Sequence, residues 1–368
     1  MRVAMVLGAS LGMLPWNYFY LDEFLNNECE VTVISWNREG IGNENIDGRI
    51  ILKEYRESID NSISKIKKIQ PFYRFRRFAA KILRDEDFDL VVFSTLQIAL
   101  LFYDMLLRKY KGKYIYDVRD PWFESKAFIH EMSDHIVKNA DTVFISSEAF
   151  KKWLPEDEKI VVTHNVRFQD CEKYEYELSN TEIERKDVIR IVFWGITREV
   201  KTNIKFIDVI ANDPRFQLEY YGVLLEESKA IFEYCKDKGI RNVAYKGTFP
   251  KDGRVQIARN TDLIHDIYMG EKENYDTRVF NKYYDGIVFE IPQITYCGGF
   301  TGECVEQYGV GVSISLSEGD ADRIYKYYKS INRELFHQNC VAEQRRIQRE
   351  MDNARERLDA SIERFKNK

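Results

Sequence analysis

The sequence predicts an α/β protein built from two consecutive open, mostly parallel sheets. Short aliphatic and β-branched runs recur along most of the chain, and helix-capable segments separate them. A polar stretch near residue 170 interrupts this rhythm, which then restarts. Length and composition agree: 368 residues, 44% hydrophobic and 31% charged, suffice for two cores and lie outside disordered and collagen-like ranges.

The first strand series reads VAMVLG (3–8), EVTVISW (30–36), DLVVFS (89–94), KYIYDVRD (113–120), DTVFISS (141–147) and KIVVTHN (159–165), with helical crossovers such as 64–84 and 95–110. This gives a first domain over 1–168. Residues 169–187 are polar with little apolar period and read as a linker. A second domain, 188–340, carries IRIVFWG (189–195), FQLEYYG (216–222), NVAYKG (242–247), DLIHDIY (262–268), PQITYC (292–297) and GVSISL (311–316). In 341–368, Ile347, Met351, Ala354, Leu358, Ile362 and Phe365 recur at intervals of four and three, which predicts a terminal amphipathic helix covering a domain or the domain junction. A coiled coil with a partner is the alternative.

Charge and cysteine usage narrow the function classes. The 55 basic and 60 acidic residues give a formal charge of −5, so nucleic acid is not an expected partner on charge, and no nucleic-acid module accompanies the local basic patch. Six scattered cysteines without a CxxC pair disfavour a zinc ribbon or a disulfide framework and read as reduced thiols. The start lacks a signal-peptide pattern, and no apolar run approaches the ~20 residues of a membrane span. A cytoplasmic protein is expected, with room for peripheral contact with a membrane.

Open parallel sheets bind ligands beyond the carboxyl ends of their strands. After the first strand, Gly8 and Gly12 permit close backbone approach, although neither GxGxxG nor GxxxxGK[ST] is present. Lining of a ligand cleft and an ordinary turn are equally open readings there. In YDVRDPWF (116–123), Asp117, Arg119 and Asp120 stand where a strand ends; a carboxylate here can hold a sugar hydroxyl, and Arg119 can meet phosphate or pair with an acid. Asp120 is the catalytic candidate of this set. His164 and Asn165 end the last strand of the domain, while His130 and His135 read as polar helix surface.

In WGITREVKTNIKFI (194–207), Gly195 opens the turn after the first strand of the second domain. Arg198, Lys201 and Lys205 then place cations at the start of a helix. Helix N-terminal amides are already positive, so cations there suit an anion better than a solvated surface. Arg198 and Lys201 are therefore both the binding and the catalytic candidates for a diphosphate whose charge grows as a bond to sugar breaks.

YDVRDPW, FWGITREVKTN and NKYYDGIVFEIPQI followed by GGFTGECVEQYGVGVSI resemble bacterial GT4-like glycosyltransferases that build cell-surface polysaccharides such as capsule or O-antigen. With the strand order, the resemblance spans nearly the whole chain. It implies the GT-B arrangement: two Rossmann-like domains facing across a cleft, the second holding the nucleotide. It further implies retaining transfer from a nucleotide-diphosphate sugar without a metal, to a glycan or polyprenyl-diphosphate-linked acceptor. Lys282, Asp285 and Pro292 match the family pattern of lysine, glutamate and closing proline, which makes Lys282 and Asp285 nucleotide-binding candidates with Asp285 on the ribose. Gly12, Gly195, Arg198 and Lys201 complete the set. Asp285 is one methylene shorter than the family's glutamate, Thr277 stands where a second glutamate is usual, Glu290 stands where glycine is usual, and the family's histidine has no aligned counterpart. The Gly298–Gly299–Phe300 turn with Glu303 lies against nucleotide or sugar in this reading, or is plain turn chemistry.

Between residues 65 and 84, Lys65, Lys67, Lys68, Arg74, Arg76, Arg77, Lys81 and Arg84 alternate with apolar residues and no acid. An anionic membrane surface and a helix packed into the first domain both account for the pattern. A non-catalytic sugar-nucleotide-binding or scaffold protein of the same fold, and a nucleotide-sugar 2-epimerase, are the competing functions.

Overall fold

The computed structural model describes residues 1–14, 16–38, 40, 46–58, 69–120, 126–166, 187–250, 253–270 and 275–367. The elements of the first half are β1 (Arg2–Leu7), α1 (Asn17–Asn26), β2 (Glu30–Asn37), β3 (Ile50–Arg56), α2 (Ile69–Asp85), β4 (Leu90–Ser94), α3 (Leu96–Leu101), α4 (Tyr103–Leu106), β5 (Tyr114–Val118), α5 (Ala127–Asn139), β6 (Thr142–Ile145) and β7 (Ile160–Val162). Their strands form a seven-stranded parallel sheet in the order β3-β2-β1-β4-β5-β6-β7. β1 is buried from Val3 to Leu7, as a central parallel strand covered on both faces must be.

The second half continues with β8 (Ile189–Thr197), α6 (Val200–Ile210), β9 (Phe216–Leu224), α7 (Lys229–Asp237), β10 (Val243–Tyr245), α8 (Gly253–Arg259), β11 (Leu263–Asp266), α9 (Asn281–Val288), β12 (Gln293–Tyr296), α10 (Phe300–Gln307), β13 (Gly311–Ile314), α11 (Asp320–Ser330) and α12 (Arg333–Lys366). Here six parallel strands follow the order β10-β9-β8-β11-β12-β13. In each sheet the order of the strands reverses once, between β1 and β4 in the first and between β8 and β11 in the second. Adjacent loops diverge at such a point and leave a ligand crevice.

The chain divides into one unit of Met1–Asn165 with Arg349–Lys368 and another of Val166–Gln348. α12 contributes to both. Its first part is tied to the second unit by Tyr283 donating to Glu343 (2.7 Å) and by Gln344 donating to the Ile287 carbonyl (3.0 Å). Its last part inserts Ala354, Leu358, Ile362 and Phe365 into the first unit's core beside Val3, Met5 and Phe24. All six residues of the predicted apolar stripe are buried.

Three local readings change. β3 is a strand that the aliphatic runs did not reveal, because its residues are half-exposed and mixed in polarity. Gly195 does not open a turn: it lies inside β8, paired with Gly222 of β9, and the strand continues to Thr197. The terminal helix begins at Arg333 rather than near 341. Lys65, Lys67 and Lys68, the segment Pro121–Phe123, and linker residues 169–186 lie outside the described residues.

Candidate functional site

In the second unit the site grows from two glycines. Gly195 and Gly222 face each other across β8 and β9 with φ of +127° and +116°, and a Cβ on Gly222 would fall 2.0 Å from the Gly195 carbonyl oxygen. Only glycine fits this approach and these dihedrals. β8 then delivers Arg198 and the left-handed Glu199 (φ +54°) to the start of α6. Asn203 locks that turn. Its Nδ2 donates to the carbonyls of Arg198 (2.6 Å) and Glu199 (3.2 Å), while its Oδ1 accepts from the Tyr220 hydroxyl (2.8 Å) and from Nε2 of His265 (3.0 Å). Burial pushes His265 down to about 3, with the Lys282 charge adding to the effect, so the imidazole is neutral. Its Nδ1 is then the acceptor for the Ile267 amide (3.4 Å).

Arg198 just before α6 and Lys201 in its first turn are exposed; Lys205 is exposed too but lies midway along the helix rather than at its start, and none of the three forms an ion pair with a described residue. Glu199 reaches across the switch point instead. Its Oε2 accepts from the Met269 amide (3.1 Å) and the Thr202 hydroxyl (3.2 Å), joining the loops that follow β8 and β11.

α9 sits beside the same strand end. Lys282 is buried; its ammonium donates to the Tyr268 hydroxyl, lies 4.1 Å from the Phe193 ring centroid and stands 3.9 Å from Asp266 Oδ1. Tyr268 stacks on Phe280 at 4.1 Å. Asp285 uses both oxygens within the protein: Oδ2 accepts from Trp194 Nε1 (2.7 Å) and Oδ1 from Arg254 (3.0 Å). Lys282 and Asp285 thus meet β8 residues immediately before Gly195, at the end of the sheet that also carries Arg198. Glu290 lies past the helix at φ +50° and accepts from His337 Nδ1 (2.8 Å). Thr277 is buried, and Gly298 and Gly299 precede α10 with Glu303 in its first turn.

In the first unit, Asp117 at the end of β5 is buried and accepts from Ser94 (2.8 Å) and from Arg119 Nε (2.8 and 2.9 Å). Arg119 lies 5.8 Å from the Trp16 ring. Burial, reinforced by the Asp117 charge, raises the Tyr20 phenol well above its usual range. Thr95, which follows β4, holds φ +73° and ψ 148°, a conformation that β-branched residues rarely adopt and that concentrates at functional edges. Asp120 is half-buried just past β5, Gly12 is exposed in a 3-10 turn after β1, and His164 pairs with Glu350.

The sequence did not single out Glu199, Asn203, Asp266 or Tyr268. The polar pair His265–Asp266 inside an otherwise aliphatic strand was the visible signal. Among the described residues, no group of three or more His, Cys, Asp or Glu is placed to hold a metal ion, and no helix is long and apolar enough to cross a membrane.

No protein-family model and no curated protein matches the chain. Solved structures do. A glycosyltransferase from Rickettsia africae superposes with a TM-score of 0.66 at 14% identity, over 100% of this chain and 98% of that one. Sucrose-phosphate synthase from Thermosynechococcus elongatus gives 0.66 at 11% identity over 98% and 94%. HepE from Anabaena, solved in complex with UDP, gives 0.64 at 13% identity over 98% and 100%. With this likeness and its two sheet orders, the chain has the GT-B architecture of two Rossmann-like α/β domains with a C-terminal helix.

Proposed function

We propose that the chain is a GT4-like retaining glycosyltransferase that moves a sugar from a nucleotide-diphosphate sugar to a glycan or polyprenyl-diphosphate-linked acceptor in cell-surface polysaccharide synthesis. The observation that carries this reading is the pair of exposed cations, Arg198 and Lys201, where β8 enters α6 beside the reversal of strand order. Backbone amides and two positive side chains there suit a diphosphate, and HepE, similar in fold, is solved with UDP and with UDP-glucose.

In this mechanism the bond between the sugar's anomeric carbon and the diphosphate oxygen breaks, and the electron pair leaves with the diphosphate. Arg198 and Lys201 stabilise that charge without a metal. The acceptor hydroxyl bonds to the anomeric carbon from the same face, and its proton passes to the departing diphosphate. In the first unit, Asp120 orients the acceptor. Exposed residues of α2 hold the enzyme against the cytoplasmic face of the plasma membrane, near a lipid-linked acceptor.

Calorimetry with a panel of nucleosides and nucleoside diphosphates tests the reading. Arg198→Ala is expected to weaken diphosphate binding roughly 10- to 100-fold, the range for a lost hydrogen bond to a charged group, while nucleoside binding holds. Equal losses for both, or no diphosphate binding by the unaltered protein, would overturn it.

A further inference from the structure

Asp266 is the last residue of β11 and is 1% exposed, yet neither carboxylate oxygen has a hydrogen-bond partner among the described residues. Burying a carboxylate without donors is costly, and an apolar residue of similar size would be cheaper at this position. The cation it faces is the Lys282 ammonium, 3.9 Å away. That ammonium also meets the Tyr268 hydroxyl and the Phe193 ring, so Asp266 is one of three groups that surround it in a buried socket.

We propose that Asp266 is a positioning residue for the donor site: its carboxyl group, sealed behind Lys282, sets the charge balance and aim of that ammonium toward bound diphosphate. This rests on the donor-site reading above. As a carboxylate, Asp266 draws the ammonium back into the socket; as a neutral acid, it releases the ammonium toward the anion.

The surrounding groups place that change near neutrality. Burial raises the Asp266 carboxyl to about 7, with Lys282 opposing the rise and Asp285 adding to it. Tyr268 packs on the same ammonium, and Glu199 acts on Tyr268 from the loop after β8. His265, on the same strand, is neutral and bonded to Asn203. Because the folded carboxyl takes its proton at higher pH than an unfolded aspartate, its contribution to stability is full below about 4 and is lost as pH rises through about 7.

Two measurements on the full chain test the proposal. Without nucleotide, Asp266→Asn is expected to gain thermal stability relative to the unaltered protein between pH 5 and pH 8; a difference independent of pH would overturn the coupling. Within the same pH range, carbon NMR of the unaltered protein and of Lys282→Met gives a readout that does not need the Asp266 variant to fold. The Asp266 carboxyl should titrate near 7 and move higher in Lys282→Met, whereas a midpoint near 4, or one indifferent to Lys282, would overturn it.

With the tightest nucleoside diphosphate of the panel, affinity of the unaltered protein should rise several-fold as pH falls from 8 to 6. Part of that rise should be absent in Asp266→Asn. Identical profiles would sink the positioning role while leaving the donor site intact. Absence of any nucleotide binding would sink the donor site and the role toward it, with the pairing of Asp266 and Lys282 still decided by the NMR titration with and without Lys282→Met.

Discussion

Glu290 occupies a backbone conformation that its side chain makes expensive. At φ +50° it follows α9, whose end is closed by the Ile291 amide donating to the Gly286 carbonyl (2.9 Å) and the Phe289 amide to the Asp285 carbonyl (2.9 Å). That is the place where helices favour glycine. Its pairing with His337 is exposed and weak compensation. Glu290→Gly should therefore stabilise the protein by about 1 kcal/mol, read as a higher urea midpoint at unchanged slope; an unchanged or lower midpoint would contradict the strain. The family pattern placed glycine here, so this residue was legible in the sequence. Asp285 was legible only as a candidate, because its partners Trp194 and Arg254 are 91 and 31 positions away and nothing in local spacing brings them together.

At the scale of elements, central strands announced themselves and edge structure did not. β1, β4 and β5 are buried on both faces and read as nearly continuous apolar runs, whereas β3 pairs only with β2 and mixes Lys53, Glu54 and Arg56 into a half-exposed strand. α2 shows the same limit for charge. The sequence gives its cations one character, but the fold divides them: Arg74 pairs with Glu57 and Arg76 with Asp104 (2.8 Å), while Arg77, Lys81 and Arg84 are exposed. Ile69 and Tyr73, each 63% exposed, continue the exposed row at helical spacing. If this row meets an anionic leaflet, replacing Arg77, Lys81 and Arg84 together by alanine should weaken binding to anionic vesicles by roughly 3 kcal/mol at about 1 kcal/mol per cation, with neutral vesicles little affected. Equal binding of variant and unaltered protein in a vesicle sedimentation assay would remove the membrane role.

For the whole molecule, the doubled α/β rhythm was readable because hydrophobic period is local. For the candidate site, Arg198, Lys201, Lys282 and Asp285 were readable one by one, but their supporting neighbours were not, because these depend on which strands become adjacent: β8 and β11 are neighbours in the sheet although β9 and β10 intervene in sequence. α12 extends this dependence to the chain's last residues. Removing residues 349–368 would strip Ala354, Leu358, Ile362 and Phe365 from the first unit's core, at about 1.5–3 kcal/mol for each large side chain. Hydrogen exchange should then quicken in β1 and β2 far more than in β8 and β9; uniform change across both sheets would contradict the assignment of this segment.

That same helix sets an order of events during synthesis. The ribosome completes β1 to β7 first, but the side chains that seal one face of their sheet are translated about two hundred residues later. At 5–20 residues per second the unfinished face waits roughly 10 to 40 s. The second unit has its own strands in hand by then, so of the two units the one begun earlier is finished later, and its open face is where a nascent-chain chaperone has the longer opportunity to bind.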